Sequence, residues 1–174
     1  METATNHDIQ GVWVVLQSPD DRFLVCQELG ENGDKPKFDK RRGDDVISAA
    51  ETSLCGESSA ITVQRGIWEE TGLLLSQYSS PQNIGEMNVQ VNGEGEFWVK
   101  VYFALINEDI QVGDLCSQDG DTMVIGLRAQ AEIMQLLEKK QLRGGVREAV
   151  NMAQAALDQG NSYQYQTINV INHR

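Results

Sequence analysis

Glu57, Glu69 and Glu70 stand at fixed spacing from Arg65, in and just before a short helical pattern. Gathered carboxylates repel one another, and a metal cation is the usual reason to bring them together. On a helix, residues three and four apart are neighbours. Arg65 therefore lies beside Glu69, and a side chain at position 66 would lie beside both Glu69 and Glu70. Position 66 is glycine, which costs ~1 kcal/mol relative to alanine inside a helix. Glu57 precedes the helix and can fold over its start. The three acids could surround one or two hard cations such as Mg²⁺ or Mn²⁺, which favour oxygen ligands. Such a cation bridges phosphate oxygens and polarises water for attack. The same spacing also suits a solvated acidic helix face on which Glu69 pairs with Arg65.

Spacing and identity together resemble the Nudix box, G-x5-E-x7-R-E-U-x-E-E-x-G-U with U apolar. With Gly72 on the last glycine, Glu57, Arg65, Ile67, Glu69, Glu70, Gly72 and Leu73 fall on seven of its nine specified positions. The resemblance implies an α+β fold, an α/β/α sandwich with a mixed sheet, in which the box is a loop, a helix and a loop. It implies hydrolysis of a nucleoside diphosphate linked to another group, with Mg²⁺ or Mn²⁺ as cofactor. Carried over by position, Glu69 and Glu70 are metal ligands. Glu57 is a further ligand or an outer-shell partner, and Arg65 orients a neighbouring carboxylate. Two positions depart from the pattern. Gly66 replaces a central ligand that often serves as general base, and Glu51 replaces the opening glycine. The pair reads as an exchange in which the Glu51 carboxylate enters the space left at Gly66. The alternative is a drifted surface residue beside a dead site.

Lys35, Lys37, Lys40, Arg41 and Arg42 make a basic island just before the box. Lys37, Lys40, Arg41 and Arg42 are expected to hold substrate phosphates, unless they belong to a solvated loop. Trp13 and Trp98 lie in strand patterns and are expected in the core. Trp68 adjoins the acidic face and could stack on a base. Two functions follow from the resemblance: a pyrophosphohydrolase acting on a small nucleotide or diphosphate, or a Nudix domain that has lost hydrolysis and senses a nucleotide or docks on a protein.

The elements that must position these residues are legible in outline. A helix is expected over 59–71, with Ser58 as N-cap, Gly72 past its C-terminus, and Ala60, Val63, Ile67 and Thr71 on its core face. Arg65, Gly66, Glu69 and Glu70 fall largely on the other side. Residues 11–16 and 22–27 read as a hairpin around the turn at 18–21. Residues 30–45 read as an exposed loop, and Val46 and Ile47 begin the next ordered piece. A second hairpin joins 84–91 to 97–106, and 122–125 is a short strand. Helices are expected over 129–142 and 146–157. The segment from 164 to 171 is a weak strand or disordered. The chain reads as one domain over 1–174, with residues 1–8 and about 160–174 as flexible tails.

The whole chain has 174 residues, a formal net charge of −12 and a pI of about 4.5. Binding to duplex nucleic acid or an anionic membrane relies on Lys and Arg, so both are poor expectations here. The longest apolar run, residues 101–106, is far short of the ~20 residues that span a bilayer. Three scattered cysteines, Cys26, Cys55 and Cys116, with no apolar leader point to a reducing, cytoplasmic setting. Dimers are common in the family, so the resemblance allows a homodimer.

Overall fold

A computed structural model describes residues 8–28, 46–47, 49–91, 95–120, 122–138 and 145–172. An unbroken run of apolar, mostly β-branched residues marks a strand covered on both faces. Such a run forms β1, Gly11–Gln17, and it is buried at every position. One edge of β1 pairs in parallel with β6, Gly95–Leu105, placing Trp13 opposite Val101. The other edge takes β4, Ala49–Thr52, antiparallel over Gly11 to Val14.

The first expected hairpin exists only at its closed end, where Gln17 pairs with Phe23 of β2, Phe23–Glu28. Beyond that point β4 occupies the edge of β1. β2 instead pairs with β7, Thr122–Arg128, and with the two-residue β3, Val46–Ile47. β7 is longer than the sequence suggests and carries a register shift opposite Val25 and Cys26. The second hairpin is found as β5, Gln82–Val91, antiparallel to β6 from the Gln82–Phe103 pair to the Val91–Gly95 pair. The mixed sheet runs β3-β2-β1-β6-β5-β8, with β4 on β1 and β7 on β2.

β8, Gln166–Asn172, takes the strand alternative expected over 164–171. It runs parallel to β5, and Ile168 and Val170 pack into the core. Alternation gives it one apolar face to bury, which is enough to hold an edge strand.

Three helices complete the layers: α1, Ser59–Thr71; α2, Gln130–Glu138; and α3, Val146–Gln159. Residues 139–142 of the expected second helix lie outside the described residues. On one face of the sheet, Trp13, Val15, Phe23, Met87 and Phe103 pack against Ile133 of α2 and Ala149, Val150 and Ala153 of α3. On the other, Val12, Val14, Leu16 and Leu24 pack against Val63 and Ile67 of α1. This is the α/β/α sandwich. Among the described residues no helix is long and apolar enough to cross a membrane.

The burial of α1 differs from the periodicity reading in two ways. Ala60 is exposed, whereas Gly66 and Glu70, expected on the polar side, are buried. The helix is in contact with β1 and β4 and also with β7, so a wider stripe is covered than a single apolar row. Trp13 is in the core, Trp98 is half-buried and Trp68 is 46% exposed.

Candidate functional site

The acidic segment is built from α1 and the turn that feeds it. Gly56 takes the left-handed conformation with φ 77°, and the Glu57 N–H donates to the Leu54 carbonyl at 3.0 Å. Ser58 is extended and its hydroxyl accepts from Ile61 N–H at 3.3 Å, satisfying a helix-start donor. At the other end Gly72 has φ 76° and donates to the Trp68 carbonyl at 2.8 Å. A Cβ there would also meet Gln118 Nε2 at 2.8 Å and the Cys116 carbonyl at 3.0 Å. Conformation and space therefore both require glycine.

Helix C-termini leave carbonyls unsatisfied. Here residues 116–122 supply the donors. Cys116 N–H donates to Thr71 O at 3.1 Å and Gln118 N–H to Glu69 O at 2.7 Å. The Ser117 hydroxyl donates to Glu69 O at 3.1 Å, and the Thr122 hydroxyl to Glu70 O at 3.3 Å. The backbone of both box glutamates is thereby anchored to a distant segment. The sequence gives no sign of this, because the contacts span about fifty residues.

Arg65 links Glu57 to Glu69. Its Nε donates to Glu57 Oε1 at 2.9 Å and its second terminal nitrogen to Glu57 Oε2 at 3.0 Å, a bidentate fork. Its remaining nitrogen donates to Glu69 Oε2 at 3.1 Å. Glu57 Oε2 also accepts from Leu54 N–H and from the Thr62 hydroxyl, each at 2.9 Å. The Arg65 guanidinium, followed by the Leu54 N–H, outweighs burial and holds the Glu57 carboxyl at about 2. Thr62 is a member of this cluster that sequence reading missed; only its place between Glu57 and Arg65 hinted at it.

Glu69 is partly exposed, while Glu70 is 6% exposed. Burial, and behind it the charge of Glu70, pushes the Cys26 thiol well above its usual range. Glu51 lies in β4 with its backbone opposite Val12, beside α1; its side chain lies outside the described residues. So do Lys37, Lys40, Arg41 and Arg42. Among the described residues no three His, Cys, Asp or Glu side chains form a group able to hold a metal. A cleft of about 360 Å³ opens past the C-terminus of α1, lined in part by Gly72, Asp109, Asp114 and Cys116.

No protein-family model matches this chain, and no curated protein matches it. Solved structures do. A NUDIX hydrolase from Nitrosomonas europaea aligns over 86% of this chain and 90% of its own, with a TM-score of 0.63 at 16% identity. The mutator MutT protein of Bacillus halodurans aligns over 91% and 88%, with a TM-score of 0.57 at 19% identity. The NUDIX domain of Shewanella oneidensis NrtR, solved with ADP ribose, aligns over 90% and 93%, with a TM-score of 0.55 at 16% identity. At these identities the likeness establishes the architecture. The sandwich, the mixed sheet and a loop–helix–loop that seats the box residues together make this chain a Nudix-fold protein.

Proposed function

We propose that this chain is a Nudix-type hydrolase that cleaves the pyrophosphate linkage of a nucleoside diphosphate derivative or similar small diphosphate. The observation that supports it is the Glu57–Arg65–Glu69 brace. Its partners come from a turn and two turns of helix and meet with bidentate geometry, at a cost in desolvation. The ADP ribose bound to the NrtR domain is consistent with this substrate class.

Glu69 and Glu70 would hold Mg²⁺ or Mn²⁺. Their carboxylate oxygens suit a hard cation. A pair suits Mg²⁺ in particular, which is commonly held by one or two carboxylates together with substrate phosphates and water. When bound, the cation neutralises phosphate charge and lowers the pKa of a coordinated water. Glu57 already accepts four hydrogen bonds, so its role in this reading is to fix Arg65. Arg65 in turn orients Glu69. Glu51 would supply the carboxylate absent at Gly66, and Lys37, Lys40, Arg41 and Arg42 would contact the phosphates. The setting would be the cytoplasm, where Cys26, Cys55 and Cys116, all free, stay reduced.

A second reading has its own support. Gly66, buried at the centre of the box, carries no carboxylate, which suits a domain that binds such a compound without cleaving it. One assay separates the two: a panel of nucleoside diphosphate derivatives with Mg²⁺ or Mn²⁺, reading phosphate after a phosphatase step. The hydrolase reading expects metal-dependent turnover that falls at least ~100-fold in Glu69→Gln and Glu70→Gln and clearly in Glu51→Gln. Turnover unchanged in Glu51→Gln removes that residue from the site. Binding without turnover favours the second reading.

A further inference from the structure

Two strands of seven residues have a single neighbour each among the described residues: β7 pairs only with β2, and β8 only with β5. An open strand edge presents unpaired N–H and C=O groups to any chain able to pair with it, and folded proteins blunt such edges with charges, proline or a bulge. β7 carries two of these guards. Its ladder shifts register between Val124 and Gly126, where Gly126 has φ 133°, and it ends in Arg128. β8 carries none. Gln166–Asn172 contains no charged residue, proline or glycine, and its ladder with β5 runs without a shift from the Gly85–Gln166 pair to the Val91–Asn172 pair. Among the described residues no backbone–backbone hydrogen bond outside that ladder reaches residues 166–172.

The chain has a formal net charge of −12, so much of its surface repels a second copy. β8 is an uncharged segment, where that repulsion is least. It is also self-complementary. Turned about a two-fold axis through Asn169, an antiparallel copy sets Asn169 opposite Asn169 and Ile168 opposite Val170. Both apolar residues belong to the α3-side core, and Ile168 is still partly exposed at the edge. A Val170 from the second copy would cover it, which makes a β-branched cross-strand pair on each side of the axis. Asn169 is exposed on the opposite face, where a primary amide both donates to and accepts from its own copy. Such pairing is isologous, so it closes at two chains and leaves neither β8 edge open.

We propose that β8 is a homodimer interface, at which a second copy of this chain adds antiparallel through its own β8 and the two sheets become one. The inference does not depend on whether the chain hydrolyses diphosphates. Sedimentation velocity over a concentration series tests it. Wild-type protein should pass from monomer to dimer as its concentration rises. Asn169→Lys sets like charges face to face across the axis and should raise the dimer dissociation constant at least about fivefold. Asn169→Glu should do the same, and circular dichroism confirms that both variants fold. An equimolar mixture of the two variants should recover the dimer, because a pairing centred on position 169 brings their opposite charges together. A wild type that stays monomeric up to about 1 mM, the range of the weakest specific associations, overturns the proposal. So does a dimer undiminished in Asn169→Lys, or a mixture no more associated than its components.

Discussion

On one face of the sheet α2 and α3 close over Trp13, Phe23, Met87 and Phe103; on the other, α1 covers Val12, Val14 and Leu16 and stops short of β5. Each face holds a buried amide with unsatisfied atoms. Gln17, at the end of β1 on the α3 side, is 0% exposed and neither of its amide atoms has a partner. Asn88, 4% exposed with its amide oxygen unpartnered, is its counterpart on the α1 side. Each is a cost in stability, because a buried amide atom without a partner forfeits the hydrogen bonds it makes with water. The α1 face also carries the Glu57–Arg65–Glu69 brace.

The largest expected effect lies on the α3 face. Trp13→Ala should cost about 3–5 kcal/mol, the usual range for emptying an aromatic core site. Urea unfolding measures it, and ligand affinity per folded molecule should be unchanged. A small loss would mean that the α3 face is not the main support of the fold.

The next effect belongs to the brace. Glu57 is held at about 2 against an ordinary 4.5. A carboxyl depressed in the folded state contributes stability that is present above the unfolded value and is lost as pH falls toward the folded one. Wild-type stability should therefore drop between about pH 4.5 and 2, through this group among others. Arg65→Met removes the main cause of the depression and should flatten that part of the profile. Urea midpoints at pH 5 and pH 2.5 give the comparison; parallel profiles would contradict it. The smallest effect is Gln17→Leu, which should raise stability by about 1 kcal/mol by replacing an unsatisfied amide with an apolar group. Thermal unfolding reads it, and a fall in stability would show that Gln17 has a partner such as a buried water.

The helix was legible because its signals are local. Ser58, the apolar period and Gly72 bound residues 59–71, and α1 has those limits. Strand existence was also legible, because alternation and turn residues are local. Strand partnership was not, since β4 displaces β2 along most of β1 and β8 joins β5 from the far end of the chain. Within the site, the Arg65–Glu69 neighbour relation follows from helix geometry and is found. The bidentate grip on Glu57, the role of Thr62 and the anchoring of Glu69 and Glu70 by residues 116–122 depend on chain segments brought together only by folding. Polarity places Gly66 and Glu70 on the exposed side of α1, but a helix flanked by strands on more than one side buries a wider stripe that includes both.

Glu69 and Glu70, held by the Arg65 brace and by residues 116–122, should bind a divalent cation together with a diphosphate. Calorimetric titration of Mn²⁺ in the presence of a non-hydrolysable nucleoside diphosphate analogue tests it most directly. Wild-type protein should show saturable binding that weakens by at least about tenfold in Glu69→Gln and in Glu70→Gln. Equal Mn²⁺ affinity in all three proteins, or no binding by the wild type, would contradict it.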